Sequence, residues 1–398
     1  MALKRAPANK ESLLSGGFVT LNVASFLAQI NMAVFYQLHQ YLIRIGVGLE
    51  WAGFLIGVFS LAGVAMQPVL SPFVNIRNAR RTLTFGVIVT MAALLSYRWA
   101  LSFPALLIVR IIHGMGFVTF VTSMNAILVS YIPVRRSGQA FGLISVNMLL
   151  PGAVVPGLLG LLKIGPERFV DVLTVTACLM VPTAILPNLV RPKDVTVKIG
   201  DGVKKIRVWQ EIKQDFVDPR IPVLLFTNFL NFLAYTPVFF LFKEFAEVRG
   251  ISNPGAFFSV ATASMMAIRL LAGHLFDRLY KARILIGTLF LVSFGYAMLI
   301  FARPSTYLIN AAIVGVGWSL FMPFLNALLF ESSKASARAL NLNLAMVLLQ
   351  LGYFVGPIIG TAILGRSGFS GVFLYCGLVT FSGACLNLFI IRSYERRR

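Results

Sequence analysis

GMGFVTFVTSMNA, residues Gly114–Ala126, and GVGWSLFMPFLNA, residues Gly315–Ala327, are the two stretches on which the fold turns. Each opens on Gly-x-Gly and closes on Asn-Ala, and they lie 201 positions apart. Neither contains a charged residue or alternates polar with apolar positions, so each reads as a buried helix rather than a strand. The offset continues outside them. Pro156 falls on Pro357 at the same shift, and Gly53, Ser71 and Asn75 fall on Gly255, Gly273 and Asp277 at a shift of 202. One match between common residues means little, but several at a nearly constant offset mark a tandem duplication with both copies in the same orientation.

The surrounding chain has the composition of a membrane protein. Of its 398 residues, 58% are hydrophobic and 12% charged, whereas roughly a quarter of a soluble domain is charged. Apolar runs such as FGVIVTMAALL and ILIGTLFLVSFGYAMLIF recur. A bilayer core takes about 20 such residues per helix, and only helices or closed barrels satisfy the backbone there. The run beginning near Gly17 is too long for a signal peptide and lacks a small-x-small cleavage site, so it reads as a span. Cys178, Cys376 and Cys385 lie in apolar segments without ligand spacing and read as packing residues.

Breaks at charge, proline and glycine clusters predict an all-α polytopic protein with twelve transmembrane helices. They fall near 17–42, 51–72, 82–102, 104–131, 139–162, 169–190, 221–242, 254–276, 284–302, 305–330, 340–363 and 371–391. The polar stretch 191–220 reads as a cytoplasmic linker between two pseudo-symmetric six-helix bundles, 1–190 and 221–398. Of the 35 lysines and arginines, 25 fall in segments on the side of the N-terminus. By the positive-inside rule both termini are expected in the cytoplasm of a multi-pass protein of the inner, or plasma, membrane. The net charge of +21 is mostly this topology signal, so no nucleic-acid partner is expected. The expected partners are the bilayer and a small-molecule substrate, with the chain a monomer.

Polar side chains at membrane depth are costly and face protein or a cavity. Those inside the spans are Gln29, Asn31, Gln37, Arg110, His113, Asn147, Asn228, Asn231, Tyr235, Trp318, Gln350 and Tyr353. They define the expected substrate cavity between the halves, near the midplane. Arg110 and His113, three apart, project from one helical face. The fourteen acidic residues all fall outside mid-span positions, which argues against lipophilic cations and favours an anionic or neutral, partly apolar solute.

Four motifs make the chain resemble the major facilitator superfamily of secondary transporters, in the style of its drug and metabolite efflux members. GHLFDR (Gly273–Arg278) is similar to the Gly-x-x-x-Asp-Arg loop signature, and RIIHGMG (Arg110–Gly116) resembles the Arg-x-x-x-Gly-x-Gly element. RRSGQAFG resembles the basic turn into the fifth span, and GYFVGPIIG (Gly352–Gly360) the antiporter-type Gly-x-x-x-Gly-Pro-x-x-Gly. The first-half loop departs from the pattern as SPFVNIRNARR, with Ser71 and Asn75 in place of Gly and Asp; the fifth span reads GAVVPGLLG, with Gly-Pro reversed.

The resemblance implies alternating access, with the third, sixth, ninth and twelfth helices peripheral. The interiors of the third, sixth and ninth spans contain no Asn, Gln, His or Arg, and that of the twelfth only Asn387. Asp277 is expected to latch a neighbouring helix end, beside Gly273 and Arg278, while Arg269 makes an ion pair close to the loop. Gly352, Gly356, Pro357 and Gly360 suit tight helix packing and a bend. No cofactor, metal or nucleotide site is expected: no Walker-type loop is present, and the energy source would be a proton gradient, with His113 as a candidate carrier and passive exchange or uniport as the alternative. The expected function is proton-coupled export of a small organic solute. Alternatives are proton-coupled uptake of organic anions and a non-transporting receptor of the same fold. No catalytic constellation appears, so an enzyme is not expected.

Overall fold

The computed structural model describes residues 15–70, 73–74, 78–132, 137–190, 218–272, 280–334 and 337–391. Among them every regular element is helical. The first half contributes α1 (Gly16–Val34), α2 (Leu38–Arg44), α3 (Leu49–Leu70), α4 (Ala79–Ser96), α5 (Phe103–Val129), α6 (Ser137–Leu161) and α7 (Phe169–Leu189). The second contributes α8 (Arg220–Val248), α9 (Gly255–Ala272), α10 (Lys281–Leu299), α11 (Tyr307–Ser332) and α12 (Arg338–Phe389). Ser15 caps α1 by accepting the Phe18 N–H over 3.4 Å. A 3-10 turn at Phe35–Gln37 carries α1 directly into α2.

Among the described residues, ten helical segments are long and apolar enough to cross a membrane, and Gly255–Leu271 is a shorter apolar helix. The first span continues through its 3-10 turn. The segments expected at 340–363 and 371–391 lie within Arg338–Phe389 and are separated by a kink at Gly368, where φ is 63°, a backbone region that costs glycine little. One boundary differs from expectation: α8 continues past residue 242 and so carries Lys243, Glu244 and Glu247 within its last turns. An i→i−4 ladder needs no apolar side chains, so a helix can outlast its hydrophobic run.

The helices pack as two sets, α1–α7 and α8–α12, which meet mainly along two seams, α3 on α12 and α6 on α9. The duplication read from the sequence is present in the packing. A Cβ at Gly114 would strike the Phe59 carbonyl of α3, and one at Gly315 would strike the Ala261 carbonyl of α9. Gly116 lies against Thr90 of α4, and Gly317 against Val292 of α10. Phe59 and Ala261, like Thr90 and Val292, are 202 apart. The absent side chains let these helices approach closely, as small residues do between membrane helices.

The seams bring backbone against backbone at one end. The end where α1 begins is called proximal and the opposite end distal. Near the distal end, a Cβ at Gly53 or Gly57 of α3 would strike the backbone of Pro357 or Phe354, and one at Gly157 or Gly160 of α6 would strike Ser259 or Asn253. Closer to the centre, a Cβ at Gly63 would clear Gln350 by 3.6 Å and one at Gly152 would clear Thr262 by 3.9 Å. Towards the centre the contact is therefore between side chains rather than between backbones.

Candidate functional site: a central cavity between the helix sets

Where the seams loosen, a cavity of about 240 Å³ lies between the two sets. The first set contributes Gln29, Met32 and Phe35 from the first span, Ile56, Phe59 and Ser60 from α3, Arg110 and His113 from α5, and Met148 and Leu149 from α6. The second contributes Tyr235, Phe239 and Phe240 from α8, Phe258, Thr262 and Met265 from α9, Trp318 from α11 and Tyr353 from α12. No Asp or Glu lines it among the described residues. Ring faces and thioethers supply an apolar wall, with a few polar atoms to orient a ligand.

The cation in this wall is held firmly. Arg110 is 4% exposed. Its Nε donates to the Leu55 carbonyl over 2.9 Å and Nη2 to the Ile56 carbonyl over 2.6 Å, while Nη1 reaches the Tyr97 hydroxyl at 3.5 Å. Its guanidinium lies 5.1 Å from the centre of the Phe35 ring and 4.9 Å from that of Phe59, within range of the aromatic quadrupole. Carbonyl dipoles and ring faces thus do much of what water would do for this charge, and they tie α5 to α3. One turn on, His113 Nε2 stands 3.1 Å from Asn31 Oδ1, with the Phe35 and Phe59 rings 5.1 and 4.9 Å away.

The opposite wall is an aromatic cluster. Tyr235 meets Trp318 edge-to-face at 4.7 Å and Tyr353 at 5.8 Å. It stacks on Phe239 at 6.0 Å, and Phe239 meets Phe258 at 5.3 Å. Trp318 Nε1 donates to the Tyr296 hydroxyl over 3.0 Å, which leaves the indole edge satisfied and its faces free to pack.

Six of the twelve residues expected at the cavity line it: Gln29, Arg110, His113, Tyr235, Trp318 and Tyr353. The other six are not in its wall. Asn31 holds His113 from behind. Gln37 donates to the Tyr36 hydroxyl and the Ile164 carbonyl, at 3.0 and 2.9 Å. Asn147 donates to the Asn22 carbonyl over 2.9 Å, and Asn228 to the Ala345 carbonyl over 2.7 Å. Asn231 is buried, and Gln350 lies across from Gly63. A buried amide with no water takes the nearest carbonyl, so many polar groups at membrane depth serve helix packing. The residues missed from the sequence are chiefly Phe35, Phe59, Phe239, Phe258, Met148 and Met265. In so apolar a chain, nothing distinguishes them from core.

Gly352, Gly356 and Gly360 place α12 against α8, where added Cβ atoms would meet Phe232, Thr236 and Pro237. Pro357 instead faces Gly53 of α3. The expected ion pair of Arg269 is replaced among the described residues by a hydroxyl of the other set: Nη1 donates to Ser145 Oγ over 2.5 Å. Gly273, Asp277 and Arg278 lie outside the described residues. No cluster of metal-ligating side chains occurs among the described residues.

Membrane-spanning helices in two sets around a cavity define an integral membrane protein of the transporter class. The sequence pattern of the Major Facilitator Superfamily matches residues 15–342, and the chain belongs to that family. Its relatives include multidrug resistance protein MdtG of Proteus mirabilis, 25% identical over 70% of each chain. MdtG of Escherichia coli is 24% identical over 87% of this chain and 85% of its own. The fold is similar to that of a solved point mutant of the nucleoside transporter NupG (TM-score 0.79, 11% identity, covering 94% of this chain and 99% of that one). It is also similar to a POT family transporter in complex with 5-aminolevulinic acid (TM-score 0.77, 10% identity, 95% and 96% covered).

Proposed function

We propose that the protein is a secondary active transporter that exports a small, neutral or anionic, aromatic organic solute by alternating access, driven by a proton gradient. The observation that carries this reading is the central cavity, walled by both helix sets, aromatic on one side, with Arg110 and His113 on the other. With the guanidinium already bound to two carbonyls, a neutral planar ligand suits the site better than a strong anion. The name of the MdtG relatives, multidrug resistance protein, supports export of more than one compound.

In this reading the two arms of α12 on either side of Gly368 are separate spans, and α9 is also a span, which gives twelve in two bundles of six joined by the linker 191–220. Lysine and arginine placement supports a proximal end, with both termini, on the cytoplasmic side of the plasma membrane, and the chain is read as a monomer.

Comparing small molecules inside and outside cells with and without the protein would nominate substrates. Counterflow of those compounds in proteoliposomes, with and without a pH gradient, tests the function. Binding without counterflow would instead support a receptor, and accumulation driven by an inward proton gradient would support uptake.

A further inference from the structure

The distal ends of α2 and α8 hold an ionisable cluster that the cavity does not use. His39 of α2 is fully buried, and its Nδ1 stands 2.9 Å from Glu244 Oε2 on α8. Beside it, Gln40 Nε2 donates to Glu247 Oε2 over 2.6 Å. Lys243 is buried, its Nζ 3.9 Å from Glu247 Oε1 and 5.7 Å from the centre of the Tyr36 ring. Among the described residues, both ring nitrogens of His39, Glu244 Oε2 and Lys243 Nζ have no hydrogen-bond partner, so the His39–Glu244 approach is a charge contact rather than an aligned hydrogen bond. The neighbouring elements add the exposed pair Arg44–Glu167, at 3.9 Å, and Glu50 in the first turn of α3.

The charges decide what this cluster does. With a neutral imidazole, the carboxylates of Glu50, Glu167, Glu244 and Glu247 outnumber the two cations Arg44 and Lys243, and negative charge is in excess. A charged imidazole, its Nδ1 2.9 Å from Glu244 Oε2, reduces that excess. Unbalanced charge in a contact between packed elements opposes that contact. The Glu244 side chain is 34% exposed, so a proton reaches the pair from the distal water.

We propose that His39 and Glu244 bind one proton between them, and that this proton clasps the distal ends of the two helix sets. The inference rests on the alternating-access reading above and adds to it a proton site separate from the cavity. Acidification on the distal side favours distal closure; loss of the proton frees α2 from α8.

The test uses the full chain in lipid nanodiscs, with Cys178, Cys376 and Cys385 replaced by alanine. Spin labels go at Leu162, just after α6, and Val248, at the end of α8, both exposed. Electron–electron distances are read across about pH 5 to 8. The short-distance population is expected to rise on acidification, and His39→Gln and Glu244→Gln are each expected to abolish the response. If His39→Gln does not fold, Glu244→Gln, at a partly exposed position, carries the test. An unchanged pH response in Glu244→Gln overturns the clasp. A pH-independent distance in the otherwise unaltered chain, with counterflow intact, overturns the clasp and leaves the transport reading standing. A pH response that both variants lose, in a chain that shows no counterflow, supports the clasp and removes the transport reading.

Discussion

Gly53 of α3 packs so closely on Pro357 of α12 that a Cβ would strike the proline carbonyl, and their repeat-mates, Gly255 of α9 and Pro156 of α6, meet in the same way. One contact is thus made twice, crosswise, between the two helix sets. Both copies lie in the distal part of a seam, and in the alternating-access reading the pair would form a symmetric stop against which the distal end closes.

Filling that stop is expected to hinder closure without unfolding either set. Gly53→Ala and Gly255→Ala should each lower counterflow at least ~10-fold while melting temperature in detergent changes little. Gly86→Ala is the contrast. Its Cβ would meet the Phe120 amide, inside one set, at 2.6 Å, and overpacking there costs about 1–3 kcal/mol. That variant should melt earlier. Equal loss of stability in all three would remove the distinction between seam and core.

Arg110 is expected to be structural as well as functional. Hydrogen bonds to a charged group contribute about 1.5–3 kcal/mol each, and Arg110 makes two to main-chain carbonyls of α3. Arg110→Ala should lower both stability and transport. Arg110→Lys keeps the charge but lacks the planar fork and should fall between the two. Thermal melting and counterflow on the same preparations check this; full stability in Arg110→Ala would return the residue to a purely ligand-binding role.

The aromatic wall is expected to act through ring faces. Tyr235→Phe keeps the contacts with Trp318, Tyr353 and Phe239 and should change apparent affinity by less than ~3-fold. Tyr235→Ala should weaken it by ~10-fold or more, since aromatic pairs contribute about 0.5–1.5 kcal/mol beyond area burial. The measurement is half-saturation in counterflow with a neutral aromatic substrate. A large loss in Tyr235→Phe would point to the hydroxyl instead.

Arg269 and Ser145 join α9 to α6 across the two sets. A double-mutant cycle with Arg269→Ala and Ser145→Ala should show a coupling of about 0.5–3 kcal/mol in detergent melts. Additive effects would mean that the contact contributes nothing in the folded state.

Fold and site differed in how far they could be read from the chain. Helix-forming apolar runs and the offset between Gly114–Ala126 and Gly315–Ala327 were legible because each side chain either favours lipid or does not, and because close helix packing demands glycine wherever it occurs. Polar residues at membrane depth were legible as buried, but not as cavity-facing. Gln29 and Asn31 looked alike in the sequence; Gln29 lines the cavity, whereas Asn31 supports His113. His39, Lys243 and Glu244 went unremarked because they sit where an apolar run ends, which is where charges are ordinary.

By itself, then, the sequence determined a duplicated, all-helical membrane protein and the residues whose burial would need a partner, since those follow from local transfer energies and repeat spacing. Which partner each one took was decided only by the tertiary structure. Arg110 turned to two carbonyls, Arg269 to a serine of the other set, and His39 to a glutamate 205 residues away. A buried polar group is satisfied by whatever the packing brings within 3 Å or so, and that proximity is a property of the folded chain.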